Sequence, residues 1–470
     1  MRSTPRFCFV LALLTLPATG LAQTPGDLDP AFGSGGVARI DVGVGGQARH
    51  NVATGLAVQP DGKLVLGGAA IRLPGDTGED RMAAVRLTPS GALDPSFGSG
   101  GRVRVDAFPG DGAMYYYGRV AIGPGGEVYL HNGANLGAIG WVTAKLTPGG
   151  VLATGFGEGG FIGYLSDYVS PADVVVQPDG KLLVLSDYND EGGIPINQEV
   201  LVERYLPNGT PDASFGDGGY CVIGFNQGDS WEDYAHAMVL QRDGKILVTA
   251  EADVGGGAWN DFAVARLTAD GQLDSTFSGN GMVTIGFDLS IGANDVPYAL
   301  AVDARGRILV GGVAGSEAAV VRLLPNGTLD PSFSGDGRAT FHFASAEPGA
   351  YDQIFGLAVQ GDGAVVAVGR GTNAAGTSRR FGVARLTEAG ALDPTFAGDG
   401  TAIFDFSENS GALSVARAVA LLEDGSILAV GGTELALDDM AFVAARLHND
   451  YVFADGFDLA TTGAWSSTVN

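Results

Sequence analysis

A repeat of about 60 residues fills most of this 470-residue chain and constrains its fold more than any other feature. The phrase Leu-Asp-x-x-Phe recurs along the chain, with weaker copies in two units, and its anchors are Phe32, Phe97, Phe156, Phe215, Phe277, Phe333 and Phe396. Successive anchors lie 65, 59, 59, 62, 56 and 63 residues apart. Self-similarity at a fixed period is typical of repeat architectures, in which each unit is one supersecondary motif.

Each unit is predicted to contain four short β-strands. Asp-Gly or Asn-Gly pairs separate apolar runs of strand length, and such pairs are the strongest short-range signal for a β-hairpin. Asp61-Gly62 marks a first hairpin of this kind, and Asn208-Gly209 marks a second one. A unit therefore reads as strand, tight turn, strand, variable loop, strand, tight turn and strand.

Seven tandem units of this kind predict an all-β, seven-bladed β-propeller of four-stranded blades, an architecture that protects strand edges by radial repetition. A β-helix is excluded, because its coils are much shorter and lack paired hairpins. The first Leu-Asp phrase has no strands before it, and the last unit stops at His448 without such a phrase. Residues 28–42 are therefore predicted to supply the fourth strand of the blade formed by residues 415–448, which closes the ring.

The composition agrees with short strands and many turns. The chain has 76 Gly and 45% hydrophobic residues but only 17% charged ones, which excludes a disordered chain. The glycines do not fall at every third position, so collagen is excluded, and so many glycines disfavour a helical bundle. The net charge of −26, without a basic patch, predicts that the protein binds no nucleic acid.

The first residues are typical of a secretory leader. Arg2 and Arg6 precede an apolar run from Phe7 to Leu16, and small residues around Ala22 provide a cleavage site. We expect residues 1–22 to be a signal peptide, residues 23–448 a single propeller domain and residues 449–470 a C-terminal tail. No later segment is long and apolar enough to span a bilayer, so we expect a secreted, cell-surface or periplasmic monomer.

A basic residue of the third strand precedes the Asp of the Leu-Asp phrase by eight residues. Equal distances on either side of a hairpin turn place two side chains opposite each other on adjacent strands. In the unit that has Ala153 in place of Asp, Lys145 replaces the Arg. We predict structural ion pairs within the blades, and a further pair produced by ring closure: Arg86 with Asp94, Arg204 with Asp212, Arg266 with Asp274, Arg322 with Asp330, Arg385 with Asp393, and Arg446 with Asp29.

Ligand-binding residues are expected on the rim that carries the longer connections between strands, which we call the loop face. Variable loops on a rigid scaffold concentrate binding residues. The predicted binding residues are Asp187, Asp190, Asp229, Trp231, Glu232, Asp233 and Trp259. Their carboxylates are suitable Ca²⁺ ligands, but no Asp-x-Asp-x-Asp-Gly loop occurs, so solvated acidic loops are favoured over a Ca²⁺ site. No other cofactor is expected.

Catalytic signals are weak. The five histidines lie in different units without zinc-binding spacing, although His50, His131 and His236 are candidates to converge on the loop face. Cys221, the one cysteine outside the leader, has no neighbouring His or Lys and is expected to pack in a strand. No catalytic residue is predicted.

The repeats resemble a known family. The hairpin Ala-Val-Gln-Pro-Asp-Gly-Lys at residues 57–63, with the phrases Ala-Arg-Leu and Leu-Asp-x-x-Phe-Gly that follow, resembles the delta-60 repeats of secreted bacterial proteins. The resemblance covers about residues 28–448, and the strand order is similar to that of NHL-type propellers. It implies a propeller fold but supplies no activity and no catalytic residues to transfer.

The sequence leaves two classes of function open. The first is an exported, non-catalytic propeller that binds a protein or a glycan through its loop face. The alternative is an enzyme with its site on the same face, either a hydrolase or lyase or a Ca²⁺-dependent, quinoprotein-like sugar oxidoreductase. A cluster of His, Arg and Asp in a deep central pocket would favour the enzyme, whereas a shallow, apolar channel would count against it.

Overall fold

The structure, a computed structural model, describes most of the chain between residues 24 and 450. The described ranges are 24–42, 49–72, 81–107, 113–114, 118–135, 139–165, 169–189, 198–225, 232–254, 260–287, 289, 294–343, 351–372, 379–407, 413–436 and 439–450. Within these ranges the chain forms 29 β-strands and no helix, so it has no helix there that is long and apolar enough to cross a membrane. The predicted all-β class is confirmed.

The strands fall into seven groups. The N-terminal strand is β1 (Val37–Ile40), and blade 1 contains β2 (Arg49–Val58), β3 (Leu64–Arg72), β4 (Arg81–Leu87) and β5 (Arg102–Val105). Blade 2 contains β6 (Ala113–Met114), β7 (Arg119–Ile122), β8 (Val128–Asn135), β9 (Ile139–Leu146) and β10 (Phe161–Leu165). Blade 3 contains β11 (Pro171–Val176), β12 (Leu182–Asn189), β13 (Gln198–Tyr205) and β14 (Tyr220–Ile223).

The remaining strands complete four further blades. Blade 4 contains β15 (Asp233–Leu240), β16 (Ile246–Asp253), β17 (Asn260–Leu267) and β18 (Met282–Ile285). Blade 5 contains β19 (Asp295–Val302), β20 (Ile308–Ala314), β21 (Glu317–Leu323) and β22 (Arg338–Phe341). Blade 6 contains β23 (Gln353–Val359), β24 (Val365–Thr372), β25 (Arg379–Leu386) and β26 (Thr401–Phe404), and blade 7 contains β27 (Ser414–Leu421), β28 (Ile427–Ala436) and β29 (Asp439–Leu447).

The blades form a closed ring. Within each blade the strands follow one another in antiparallel order. The first long strands are β2, β7, β11, β15, β19, β23 and β27; each of them contacts the first strand of the next blade, and β27 contacts β2. This cycle of contacts puts the first strands innermost, around a central channel, and the fourth strands outermost. The predicted seven-bladed propeller is confirmed.

The N-terminal segment closes the ring, as predicted. Strand β1 pairs antiparallel with β29, with Val37 opposite Ala445 and Ile40 opposite Phe442. Ahead of β1, the His448 N–H donates to the carbonyl of Asp27 at 2.8 Å. The last blade therefore consists of three C-terminal strands and one N-terminal strand. Unfolding of this blade therefore separates the N-terminal strand β1 from the C-terminal strand β29.

The third and fourth strands of a blade are connected differently from the predicted tight turn. A glycine turn, Ser90-Gly91 in blade 1, is closed by a single bridge between Leu87 and Leu93 and is followed by a second turn at the Phe. In blade 1 this second turn holds Gly98 at a φ of 53°, and a Cβ there would lie 2.3 Å from the Arg102 carbonyl oxygen. A side chain at residue 98 would clash with this carbonyl, whereas Ser278, Ser334 and Ala397 take a similar φ after the Phe of blades 4, 5 and 6. The Leu-Asp phrase is therefore a connector, and the fourth strand follows it.

The hydrophobic core lies between neighbouring blades. Each anchoring Phe is at most 2% exposed. Phe97 belongs to a buried cluster that contains Val65 of blade 1 and Val142 of blade 2. Burial of one such ring contributes about 2–3 kcal/mol to the free energy of unfolding. The repeated Phe therefore stabilises the contact between adjacent blades as well as its own connector.

The predicted Arg–Asp positions lie in contact in the structure. The Arg Nε donates to the Asp Oδ2 at 2.8 Å in five blades, and Arg446 Nε donates to Asp29 Oδ2 at 2.6 Å. In blade 5, Arg322 Nη2 also donates to the Ser332 hydroxyl at 2.9 Å, and the guanidinium carbon lies 4.6 Å from the centre of the Phe333 ring. Arg322 is 1% exposed, so these contacts replace its hydration.

The same arginine joins two blades, which the sequence did not predict. Arg322 Nη1 donates to the backbone carbonyl of Glu388 in blade 6. Corresponding bonds run from Arg86 to Pro148, from Arg204 to Ala269, from Arg266 to Pro325 and, across the ring closure, from Arg446 to Pro89. Lys145 reaches the Pro207 carbonyl at 3.2 Å in the blade that lacks the Asp. We call this set of contacts the arginine clasp.

The carboxylates of the clasp are strongly stabilised in their charged form. A hydrogen bond from the Ser96 hydroxyl at 2.7 Å, a second from the Ser96 backbone N–H and the neighbouring Arg86 guanidinium hold the pKa of Asp94 well below its usual range, although burial opposes them. A carboxylate with a depressed pKa contributes stability above its unfolded-state pKa and loses it as the pH falls. The clasp is therefore complete at neutral pH.

Replacement of a clasp arginine should destabilise the protein strongly. We expect Arg322→Met to lower the free energy of unfolding by about 3–5 kcal/mol, because it leaves the Asp330 carboxylate buried without its partner. Thermal and urea denaturation measure this loss. Arg39→Met removes an exposed arginine of β1 and is the matched control, with an expected change of less than about 0.5 kcal/mol. Equal effects of the two substitutions would contradict a structural role for the clasp.

Candidate functional site

The candidate site lies where the inner strands reach the loop face. The tight turns between first and second strands share one rim of the ring, so the longer connections share the other. Most of those connections lie outside the described residues, and with them the predicted binding residues Asp190, Asp229, Trp231 and Trp259. The described part of the site therefore consists of strand residues next to these loops.

A bulge interrupts the first strand at the same level in six blades. The ladder shifts register around Thr54, Ala172, His236, Tyr298, Phe355 and Arg417. In blade 2, Gly118 immediately precedes β7 at this level. A bulge turns a side chain away from its regular direction in the strand, and these bulges lie on the innermost strands, next to the central channel. These residues therefore lie at the wall of the central channel.

Four of the bulge residues form a continuous arc, which we call the inner arc: His236, Tyr298, Phe355 and Arg417. The ring centres of His236 and Tyr298 are 5.2 Å apart, and those of Tyr298 and Phe355 are also 5.2 Å apart. The guanidinium carbon of Arg417 lies 4.2 Å from the centre of the Phe355 ring. All four side chains are half-buried, whereas Thr54 and Ala172 are small and buried. The channel wall is therefore aromatic on the side of blades 4 to 6.

A carboxylate lies beside the inner arc in blade 4. Glu251 Oε2 is 3.6 Å from His236 Nε2. Its other oxygen accepts hydrogen bonds from the side-chain amides of Asn260 at 2.6 Å and Asn294 at 3.4 Å. The amides orient Glu251 towards the imidazole, so the arc has an aromatic surface and an acidic end with hydrogen-bonding groups.

Asp187 is a buried structural acid, not an open ligand. It lies in β12, where its Oδ1 accepts from the backbone N–H of Ala235 in blade 4 at 2.7 Å, and its Oδ2 accepts from Gln198 Nε2 at 3.3 Å. Burial raises the pKa of Asp187 to about 7; the hydrogen bonds oppose this shift and the nearby charge of Glu251 adds to it. The predicted binding residue therefore joins blades 3 and 4.

Asp233 has a repeated structural contact. Its Oδ2 accepts from the Phe225 backbone N–H at 2.7 Å, and burial raises its pKa to about 6. The corresponding Asp295 accepts from Phe287 at 2.7 Å, and Asp352 accepts from Phe343 at 3.0 Å. Recurrence in three blades shows that this aspartate fixes the entry of a first strand.

Of the three predicted binding residues that the structure describes, Glu232 is the exposed one. It accepts a hydrogen bond from the Tyr234 hydroxyl at 3.2 Å. The structure thus brings Asp187, Glu232 and Asp233 to one border, between blades 3 and 4, but commits the two buried members to backbone contacts.

The other polar candidates have structural surroundings. His131 is buried beside Trp141 and shares a hydrogen bond with the Thr143 hydroxyl at 2.8 Å, and burial lowers its pKa to about 3. Cys221 lies in β14, and burial raises its pKa to about 11. Within the described ranges, no group of three or more His, Cys, Asp and Glu side chains is arranged to hold a metal ion.

Sequence reasoning named His236 as a loop-face candidate but missed Tyr298, Phe355 and Arg417. One column of the repeat signals the inner arc: the bulge residue lies just before the apolar run that ends at the first tight turn, and this column contains Thr54, Ala172, His236, Tyr298, Phe355 and Arg417. A column so variable inside a repeated strand indicates a position that the scaffold does not constrain. Variation between repeats, and not acidity of loops, was the available signal.

Comparisons with known proteins support the fold class and leave the function open. A family described as "Domain of unknown function (DUF5122) beta-propeller" matches residues 59–97, 177–215, 241–277, 306–333 and 360–396. The match and the seven-bladed ring together show a β-propeller repeat protein. No curated protein matches the chain.

Similar solved structures are distant. A protein of unknown function from Dyadobacter fermentans is 11% identical over 70% of this chain and 93% of its own, with a TM-score of 0.40. The α-L-arabinofuranosidase of Fusarium graminearum is 8% identical over 87% and 97%, with a TM-score of 0.43. The NanB sialidase of Streptococcus pneumoniae is 8% identical over 87% and 70%, with a TM-score of 0.40. These likenesses carry no argument about function.

The raised pKa of Asp187 predicts a pH-dependent stability. The folded protein keeps a proton up to a pH of about 7 that the unfolded chain releases near its ordinary pKa of 3.8. Stability should therefore fall as the pH rises from about 4 to about 7, with a decrease in Tm of at least about 3 °C. Asp187→Asn keeps an acceptor for Ala235 and should flatten this slope. The exposed Asp217→Asn is the control and should retain the full slope; a slope in Asp187→Asn as steep as that of this control would exclude the Asp187 origin.

Proposed function

We propose that this chain is an exported, non-catalytic β-propeller that binds an extracellular ligand through its loop face, and that the ligand is a glycan. The observation that carries the proposal is the inner arc. A binding site in a rigid scaffold combines a largely apolar surface with a few placed polar groups. His236, Tyr298 and Phe355 supply the surface, and Glu251 and Arg417 supply polar groups at its two ends.

A sugar suits this chemistry better than a flat protein surface does. A pyranose has an apolar face of C–H groups that packs on an aromatic ring, and its hydroxyl groups accept and donate hydrogen bonds. The arc is concave, because it follows the wall of the ring, and Gln353 Nε2 bonds the hydroxyls of Tyr298 and Tyr351 at 3.2 and 3.3 Å. Aromatic side chains with polar atoms at their edges therefore face the channel over three successive blades.

Absence of catalysis is part of the proposal. The buried acids Asp187 and Asp233 accept hydrogen bonds from backbone N–H groups, which commits them to the scaffold. One observation favours an enzyme as the second candidate: His236 and Glu251 are 3.6 Å apart and half-buried, which is the arrangement of an imidazole base and its orienting carboxylate. A hydrolase or lyase that uses this pair should lose its activity in Glu251→Gln.

Binding to a panel of polysaccharides and oligosaccharides, measured by glycan array and then by calorimetry, tests the proposal. We expect Phe355→Leu to weaken the binding about three- to tenfold, because it removes an aromatic face but keeps most of the volume. Tyr220→Leu is the matched control, since Tyr220 is a 44% exposed aromatic of the outer strand β14. A panel without any bound glycan would overturn the proposal, and glycan cleavage that Glu251→Gln abolishes would replace it with the enzyme.

Export is the other part of the proposal and has its own test. Expression of the full chain in a Gram-negative host should yield a protein in the periplasm or medium whose N-terminus is Gln23, since cleavage after Ala22 follows the leader pattern. N-terminal sequencing and intact mass identify this terminus. Retention of the uncleaved chain in the cytoplasm would exclude export.

A further inference from the structure

Four arginines that belong to no clasp lie on blades 6 and 7. Arg370 lies in β24, and Arg379 and Arg380 lie opposite Thr372 and Gly371 in the adjacent strand β25. Arg417 is the bulge residue of β27. The chain has only 27 basic residues against 53 acidic ones, so four arginines at the loop-face end of two neighbouring blades form a local positive surface on an acidic protein.

Arg370 lacks the partners that the clasp arginines have. Among the described residues no carboxylate pairs with its guanidinium, and its Nε is buried without a hydrogen-bond partner. Its guanidinium carbon lies 5.8 Å from the centre of the Tyr351 ring and 5.9 Å from that of Phe355. Burial and the neighbouring Arg379 lower the pKa of Arg370. A buried donor without an acceptor costs free energy, which an anionic ligand would recover.

The repeat does not require an arginine at this position. Arg370 is the sixth residue of its second strand, and the corresponding residues of the other blades are Ala69, Gly133, Asp187, Glu251, Val313 and Gly432. Four of these six, Ala69, Gly133, Val313 and Gly432, are small or apolar, and their blades form the same strand pairing. The guanidinium is therefore not part of the scaffold.

Arg417 approaches the same aromatic ring from the next blade. Its guanidinium carbon is 4.2 Å from the centre of the Phe355 ring, which also lies beside Arg370. Gln353 donates to the Tyr351 hydroxyl oxygen at 3.3 Å, which leaves the hydroxyl hydrogen of Tyr351 available as a donor. Two guanidiniums and a phenol thus border one segment of the channel wall.

The channel wall differs in charge from one side to the other. The acid Glu251 occupies the sixth position of the second strand in blade 4, whereas Arg370 occupies it in blade 6. Arginine is suited to planar oxyanions, because its fork of N–H donors matches a carboxylate or a sulfate. Such a wall orients a ligand that has a negative group at one end and neutral hydroxyls at the other.

We propose that Arg370 and Arg417 bind the negative group, a carboxylate or a sulfate, of an acidic glycan whose sugar rings lie on the inner arc. The inference rests on the proposed glycan-binding function and adds the class of glycan. Tyr351 completes the oxyanion site as a hydroxyl donor. Neutral glycans then bind through the aromatic surface alone and more weakly.

Calorimetry with a uronic acid oligosaccharide, and with the same oligosaccharide after reduction of its carboxyl groups to alcohols, tests this inference. We expect the acidic form to bind at least tenfold more tightly to the intact protein. Arg370→Gln should abolish this preference while the reduced form binds as before, and Arg370→Lys should restore part of it. Arg39→Gln removes one exposed positive charge and is the matched control, with the preference retained. Melting curves of each variant verify that it folds.

Inorganic sulfate distinguishes a free anion from a glycan group. Equal binding of the acidic and the reduced oligosaccharide would overturn the inference and leave the glycan-binding function in place. An increase in Tm in sulfate, relative to NaCl at equal ionic strength, that Arg370→Gln abolishes would support the anion site. If no oligosaccharide bound in that case, the anion site would stand and the glycan-binding function would fail. If neither sulfate nor any oligosaccharide binds, both the anion site and the glycan-binding function are overturned.

Discussion

The arginine clasp is the contact on which the ring depends. A single guanidinium, as in Arg322, bonds the Asp330 carboxylate of its own blade and the Glu388 carbonyl of the next. Since a buried charge is tolerated only when paired, the connector, the third strand and the neighbouring turn must take up their positions together. Repetition around the ring makes each interface depend on the same geometry, and Arg446 with Asp29 extends it to the two ends of the chain.

The repeat made most of this scaffold predictable. The Phe period, the Asp-Gly turns and the incomplete first and last units led to seven blades and to the closing N-terminal strand. The link between blades was not predictable, because the Glu388 carbonyl comes from a turn 66 residues after Arg322 and a backbone acceptor leaves no mark in the sequence. The connector was misjudged for a related reason: a second turn at Phe97 separates the Ser90-Gly91 turn from the fourth strand.

The candidate site was less predictable, because the sequence does not distinguish an aspartate that binds a ligand from one that fixes the entry of a strand. Asp233 resembles a ligand residue in sequence, but the equivalent contacts of Asp295 and Asp352 show that it fixes a strand entry. Residues such as Tyr298 and Phe355 resemble core residues in sequence, but a bulge turns them towards the channel. A bulge depends on the hydrogen bonds of a partner strand, so no local pattern marks it.

The basic residues of the scaffold differ from Arg370 of the candidate site in their hydrogen-bond partners. Each basic residue of the clasp has a carboxylate or a carbonyl within hydrogen-bonding distance, so its burial costs the fold little. Arg370 has neither among the described residues, although valine or glycine occupies its position in blades 5 and 7. A neutral side chain there would fit the fold and avoid the desolvation of a guanidinium. The folding of this chain therefore leaves the charge of Arg370 unexplained, and the binding of an oxyanion explains it.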